Sequence, residues 1–120
     1  MKESELQQIV NDYLSKSGVL YFAPLTETAM QIMIAFKVPK KTCHCIINHL
    51  KKMGMLPGIT DLVILKKGVV YFLELKVGKG KLSEQQSIIH KVLRANGFCV
   101  ETAWTFDEAL AIFKKWGIVK

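Results

Sequence analysis

Apolar residues recur along the chain with changing period, and each change marks a predicted element. Leu6, Ile9, Val10, Tyr13 and Leu14 fall at helical spacing, and Gly18 supplies an end for that helix. Val19 to Leu25 reads as a strand stopped by Pro24, and Thr26 to Phe36 fits either a further strand or a short helix. Lys37 to Lys41, with Pro39, reads as a basic loop, after which Thr42 is placed to cap a helix from Cys43 to about Met53. Two almost wholly apolar runs follow, Pro57 to Leu65 and Val69 to Lys76, separated by Lys66-Lys67-Gly68, which is a hairpin signal. Ser83 is a candidate N-cap for a helix from Glu84 to Asn96, with Gly97 just past its end. Phe98 to Ala103 alternates like a strand, and Thr105 with Glu108 spells a capping box for a last helix bearing Ala109, Leu110, Ile112, Phe113 and Trp116. The order is α, β, a helical insert, β, β, α, β, α, an α/β fold with a mixed sheet flanked by helices. At 120 residues it reads as one domain, residues 1–120, with no internal repeat.

The hairpin carries charges where its pattern leaves little room for them. Asp61 stands near the start of the first run, and Glu74 and Lys76 end the second. If Lys67 and Gly68 are the central residues of the turn, Lys66 pairs with Val69 and Asp61 falls opposite Glu74. Directly opposed residues share one face of a sheet with Cβ atoms about 5 Å apart, and alternation brings Lys76 to that same face. Carboxylates held so close repel each other, which points to a divalent cation between them and an ammonium beside it. A slip of a single residue separates the pair and removes the site.

Charge distribution strengthens this reading. The chain has 17 Lys plus Arg against 10 Asp plus Glu, a net charge of +7, which favours an anionic partner, most commonly nucleic acid. Between Glu27 and Glu84 there are ten lysines, and the acids in that span are Asp61 and Glu74 alone. Half the residues are hydrophobic, which excludes a disordered chain. The Met1 to Glu5 start has no apolar run behind it of the kind a signal peptide needs, and the apolar runs are too short to span a bilayer. The expectation is a soluble cytoplasmic protein with no membrane partner. Three cysteines, an odd number, weigh against a disulfide framework.

Other motifs carry less. Cys43, His44, Cys45 and His49 invite a zinc reading, but a Cys-x-Cys pair on a helix points its thiols to different sides, and Cys99 is the sole further thiol. Gly78-Lys79-Gly80-Lys81 lacks the Gly and the Ser or Thr that a P-loop needs at Leu75 and Leu82. Lys79 and Lys81 in that loop, with Lys40 and Lys41 in the earlier basic stretch, are the candidate contacts to a DNA backbone. Trp104 and Trp116 read as packing residues.

The Glu3-Ser-Glu-Leu-Gln7 start, Pro57-Gly-x-x-Asp61-Leu62, Phe72-Leu-Glu-Leu-Lys76 and the following Gly80-Lys-Leu-Ser-x-x-Gln86, taken in this order, resemble the VRR-NUC (virus-type replication-repair nuclease) family of the PD-(D/E)XK nuclease superfamily. Thr60 departs from the pattern, standing where the family usually has Pro before the Asp. The resemblance implies a restriction-endonuclease-like fold and a metal-dependent DNA endonuclease of viral or phage replication, recombination or repair. It implies Asp61, Glu74 and the backbone carbonyl of Leu75 as ligands of Mg²⁺ or Mn²⁺, Lys76 as the catalytic lysine, and Gln86 as an accessory polar residue. Glu3 is the first candidate for the acid of the opening helix, Gln7 the second, with Glu5 pointing more toward solvent. Small stand-alone relatives imply structured or branched DNA, such as Holliday junctions or flaps, and a homodimer offering two sites. The alternative of another class is a nucleic-acid-binding module whose charged triad is a structural ion cluster.

Overall fold

Lys67 and Gly68 both adopt positive φ, 49° and 78°, and this turn sets the register of the sheet. A two-residue turn with left-handed backbone at both positions matches the right-handed twist of the strands it joins. The computed structural model describes all of Met1–Lys120. β2 (Leu62–Lys66) and β3 (Val69–Leu75) form the hairpin, pairing Lys66 with Val69 and Leu62 with Leu73. Continued by one residue, that register sets Asp61 opposite Glu74, as the pattern of the two runs predicts.

Two further strands complete a four-stranded mixed sheet in the order β1-β2-β3-β4. β1 (Leu20–Phe22) is antiparallel to β2 at one edge, and β4 (Cys99–Ala103) is parallel to β3 at the other. A parallel neighbour requires a crossover, and α4 (Glu84–Ala95) provides it. α1 (Glu3–Lys16) and α5 (Phe106–Lys115) cover the face bearing Leu62, Ile64, Leu73, Leu75 and Ala103, into which Leu6, Val10, Leu14 and Phe113 pack. On the opposite face Val63, Phe72 and Val100 meet Leu93 of α4. Alternation along β3 puts Glu74 on this second face, in line with Phe72 and beneath α4. No helix is long and apolar enough to cross a membrane.

The insert differs from expectation in its details. β1 stops at Phe22, short of Leu25, because Pro24 has no N–H to give a sheet and Leu25 turns left-handed at φ 62° to enter the next helix. Thr26–Ala35 is helical (α2), settling the choice the pattern leaves open. α3 runs from Lys40 to Lys52, so Lys40 and Lys41 open a helix and do not lie in a loop. Pro39 occupies the N-cap position with φ −55°, a value preset for helix entry, so Thr42 falls inside the helix and caps nothing. Met33 is the one buried residue of α2, and α3 buries none. Ser83, by contrast, forms the predicted cap in full: its hydroxyl accepts from Gln86 N and Gln86 Oε1 accepts from Ser83 N. Thr105 caps α5, but the Glu108 carboxylate accepts from Trp104 N instead of closing the box on Thr105.

Candidate active site

The charged end of the hairpin is held by short-range backbone chemistry. Thr60, which is buried, donates its hydroxyl to Leu62 O at 3.1 Å and so shapes the turn into β2 at the position where the resembling family has Pro. Before it, Gly58 sits at φ 87°, and a Cβ built there would lie 2.8 Å from the carbonyl oxygen of Gln85 in the first turn of α4. Glycine is therefore required by backbone conformation and by the close approach of α4. The Asp61 carboxylate accepts the Leu75 N–H at 2.7 Å, a bond that ties the end of β2 to the end of β3 and fixes the orientation of that carboxylate. Lys76 N continues the ladder to Ala103 O at 2.9 Å, which holds the lysine backbone in sheet geometry.

Glu74 is 1% exposed, and neither of its carboxylate oxygens has a hydrogen-bond partner. Burial is the main cause that raises its pKa from 4.5 to about 7, with Glu27 and Glu3 adding to it and Asp61 and Lys76 opposing. Burial likewise pushes Asp61 from 3.8 up to about 8, reinforced by Glu74 and opposed by the Leu75 N–H and by Lys76. Two neighbouring carboxyl groups cannot both be ionised cheaply in a desolvated site. A shared proton or a cation would resolve the conflict, and with both oxygens unpaired Glu74 keeps its full acceptor capacity. No group of three His, Cys, Asp or Glu side chains converges tightly enough to cage a metal unaided. The donor set is a carboxylate pair, which suits Mg²⁺ or Mn²⁺ ions that keep several waters, and does not suit zinc. Cys43, Cys45 and Cys99 are separate free thiols, with Cys43 Sγ directed at Val38 O, so the insert holds no zinc cage.

The remaining predicted residues converge on this pair to different degrees. The Lys76 side chain is nearly buried, and its Nζ lies 3.9 Å from Glu3 Oε1 across the sheet end from α1. Glu3 is half-exposed, and partial desolvation raises its pKa while Lys76 lowers it. Gln7 lines a narrow cleft with Thr60 and Asp61, while Glu5 stays exposed. Gln86 is buried, and its Oε1 is committed to the Ser83 cap, which leaves its Nε2 as the group able to reach another element. That nitrogen donates to Glu27 Oε1 at 2.6 Å. Lys79 and Lys81 are exposed on the loop leaving Lys76, a loop pinned where Trp104 Nε1 donates to Gly80 O at 2.7 Å. Lys40 and Lys41 are exposed on α3, away from the carboxylate pair's own contacts.

Two residues at the site escape the sequence reading. Glu27, in the first turn of α2, reaches Gln86 and acts electrostatically on both Glu74 and Glu3. With the element type of residues 26–36 open, its direction could not be read. His90 is 1% exposed on α4, with Nε2 3.8 Å from Glu74 Oε1 and neither ring nitrogen hydrogen-bonded. Burial is the main cause that lowers its pKa, helped by Arg94 and Lys76. A signal for it exists: His90 follows Gln86 by four residues and so shares its helix face. No protein-family model, no curated protein and no solved structure matches the chain. The geometry at the end of the β2–β3 hairpin therefore carries the functional reading.

Proposed function

We propose that the chain is a metal-dependent deoxyribonuclease of restriction-endonuclease-like fold, an endonuclease hydrolysing phosphodiester bonds in structured or branched DNA. The observation that supports this most is the pairing of half-buried Asp61 with buried Glu74, opposed when the β2–β3 register is continued by one residue, with no donor on Glu74 and Lys76 beside them. Asp61, Glu74 and the Leu75 carbonyl would hold Mg²⁺ or Mn²⁺, which when bound lowers the pKa of a coordinated water and neutralises charge developing on the phosphate. Asp61 enters that role already oriented by the Leu75 N–H. Lys76 places an ammonium in the same desolvated space, where it can hold the attacking water and stabilise the phosphate oxygens in the transition state. Glu3, 3.9 Å from that ammonium, restrains it at the sheet end. Lys79 and Lys81, on a loop anchored by Trp104, are positioned to contact the DNA backbone that runs past the site, with Lys40 and Lys41 extending the basic surface. A homodimer, offering one site to each strand of a branched substrate, belongs to the same proposal.

The test is a cleavage panel of junction, flap, plasmid and single-stranded DNA with Mg²⁺ or Mn²⁺, comparing wild type with Asp61→Ala, Glu74→Ala and Lys76→Ala. The expected result is metal-dependent cutting by wild type and a loss of at least ~100-fold in each variant with DNA binding retained. Binding without metal-dependent cleavage on every substrate would leave a nucleic-acid-binding module in which the charged triad is structural.

A further inference from the structure

His90 and Glu74 form a buried couple with no other hydrogen-bond partners. Each is 1% exposed, and the closest approach, Nε2 to Oε1, is 3.8 Å. That separation is beyond a hydrogen bond but within reach of one after a small rotation of either side chain. Leaving a donor and an acceptor unpaired side by side in a protein interior is unfavourable, and a leucine or phenylalanine would fill the position on α4 without that penalty. The rest of the site explains the partner choice. Gln86 Nε2 donates to Glu27 and Lys76 Nζ lies by Glu3, and no hydrogen bond from any side chain reaches Glu74.

We propose that His90 is a positioning residue for Glu74: a small rotation closes its Nε2–H onto Oε1, which would fix that carboxylate oxygen and leave the other for a divalent cation. This rests on the reading of Asp61 and Glu74 as metal ligands. Donors that orient a metal-binding carboxylate typically raise metal affinity by about 10–100-fold.

The test uses the full chain, stripped of metal and titrated with Mn²⁺ by calorimetry. His90→Leu fills the space without a donor, His90→Gln keeps a donor, and Glu74→Gln removes the ligand. The expected result is that His90→Leu weakens Mn²⁺ binding about 10-fold or more at unchanged or raised melting temperature, and that His90→Gln recovers most of the loss. Mn²⁺ binding by His90→Leu within twofold of wild type would overturn the positioning role while leaving the metal site standing. Wild type and Glu74→Gln both failing to bind Mn²⁺ would instead overturn the metal reading, and this proposal with it. Nitrogen-15 spectra of the histidine rings in wild type give a readout independent of how the variants fold. On saturation with Mg²⁺ the His90 Nε2–H should move to a hydrogen-bonded, slowly exchanging position, while exposed His44 and His49 stay put. An unchanged His90 signal at Mg²⁺ saturation would overturn the proposal.

Discussion

Glu74→Gln should stabilise the metal-free protein and abolish its activity, and the size of the gain should depend on pH. Glu74 is buried with unpaired oxygens, and its pKa rises from 4.5 to about 7. The folded chain therefore holds this proton more tightly than the unfolded chain. Stability from this group is highest below about pH 4.5, falls as pH rises through the window to about 7, and is level above it. Integrated to pH 8, the loss is about 3 kcal/mol at 1.36 kcal/mol per tenfold change in proton affinity. The amide has the shape of the carboxyl, carries no charge to desolvate and can donate to Asp61. Asp61 keeps its own burial penalty in the variant, so the net gain at pH 8 should be about 1–3 kcal/mol, or roughly 4–12 °C in Tm for a chain of this size. At pH 5 the carboxyl is already protonated in the folded state and the gap should shrink below about 1 kcal/mol. Calorimetry of EDTA-treated wild type and variant at both pH values measures this. Saturating Mn²⁺ should then raise the Tm of wild type and leave the variant unmoved. A variant no more stable than wild type at pH 8, or a gap that does not change with pH, would refute the desolvation argument.

The other expectations concern the frame around the pair. Gly58→Ala introduces a Cβ 2.8 Å from Gln85 O at φ 87°, so it should cost about 1–3 kcal/mol in chemical denaturation and lower cleavage by displacing the first turn of α4. Lys67→Asn places a residue tolerant of φ 49° in the hairpin turn and should gain about 0.5 kcal/mol with no change in metal binding. Trp104→Phe removes the 2.7 Å bond to Gly80 O and should cost about 1 kcal/mol, with weaker DNA binding as the basic loop loosens. Lys79→Ala and Lys81→Ala should each lower the slope of log affinity for duplex DNA against log salt by about 0.9 if their ammonium groups contact phosphates, and unchanged slopes would remove them from the interface.

What could be read from the sequence follows the range over which each feature is determined. The hairpin register was legible because the turn at Lys67 and Gly68 leaves one pairing that keeps both apolar runs in step, and that pairing alone brings Asp61 to Glu74. The α4 cap was legible because Ser83 and Gln86 bond to each other's backbone within a single turn. The insert was less so: Thr26 to Ala35 is apolar around much of its circumference and buries Met33 alone, so no core stripe was present to declare a helix. Helix-to-sheet contacts were illegible for a different reason. Which α4 side chains meet Glu74 depends on the rotation and depth at which the crossover helix settles on β3, which local spacing leaves undetermined, and so His90 was missed. Glu27 is the instructive case. It bounds the basic stretch in which Asp61 and Glu74 appear as isolated acids, yet the chain folds back and delivers it to Gln86, beside them. With Glu3 across the sheet end, four carboxylates act on one another around the single ammonium of Lys76. Burial is the main cause that holds Asp61 and Glu74 above the normal carboxylate range, and the neighbouring carboxylates add to it, Glu74 on Asp61 and Glu27 and Glu3 on Glu74. On the proposed function, the positive charge of the chain as a whole would draw in a polyanion, while the carboxylates at the hairpin end would draw in the cation.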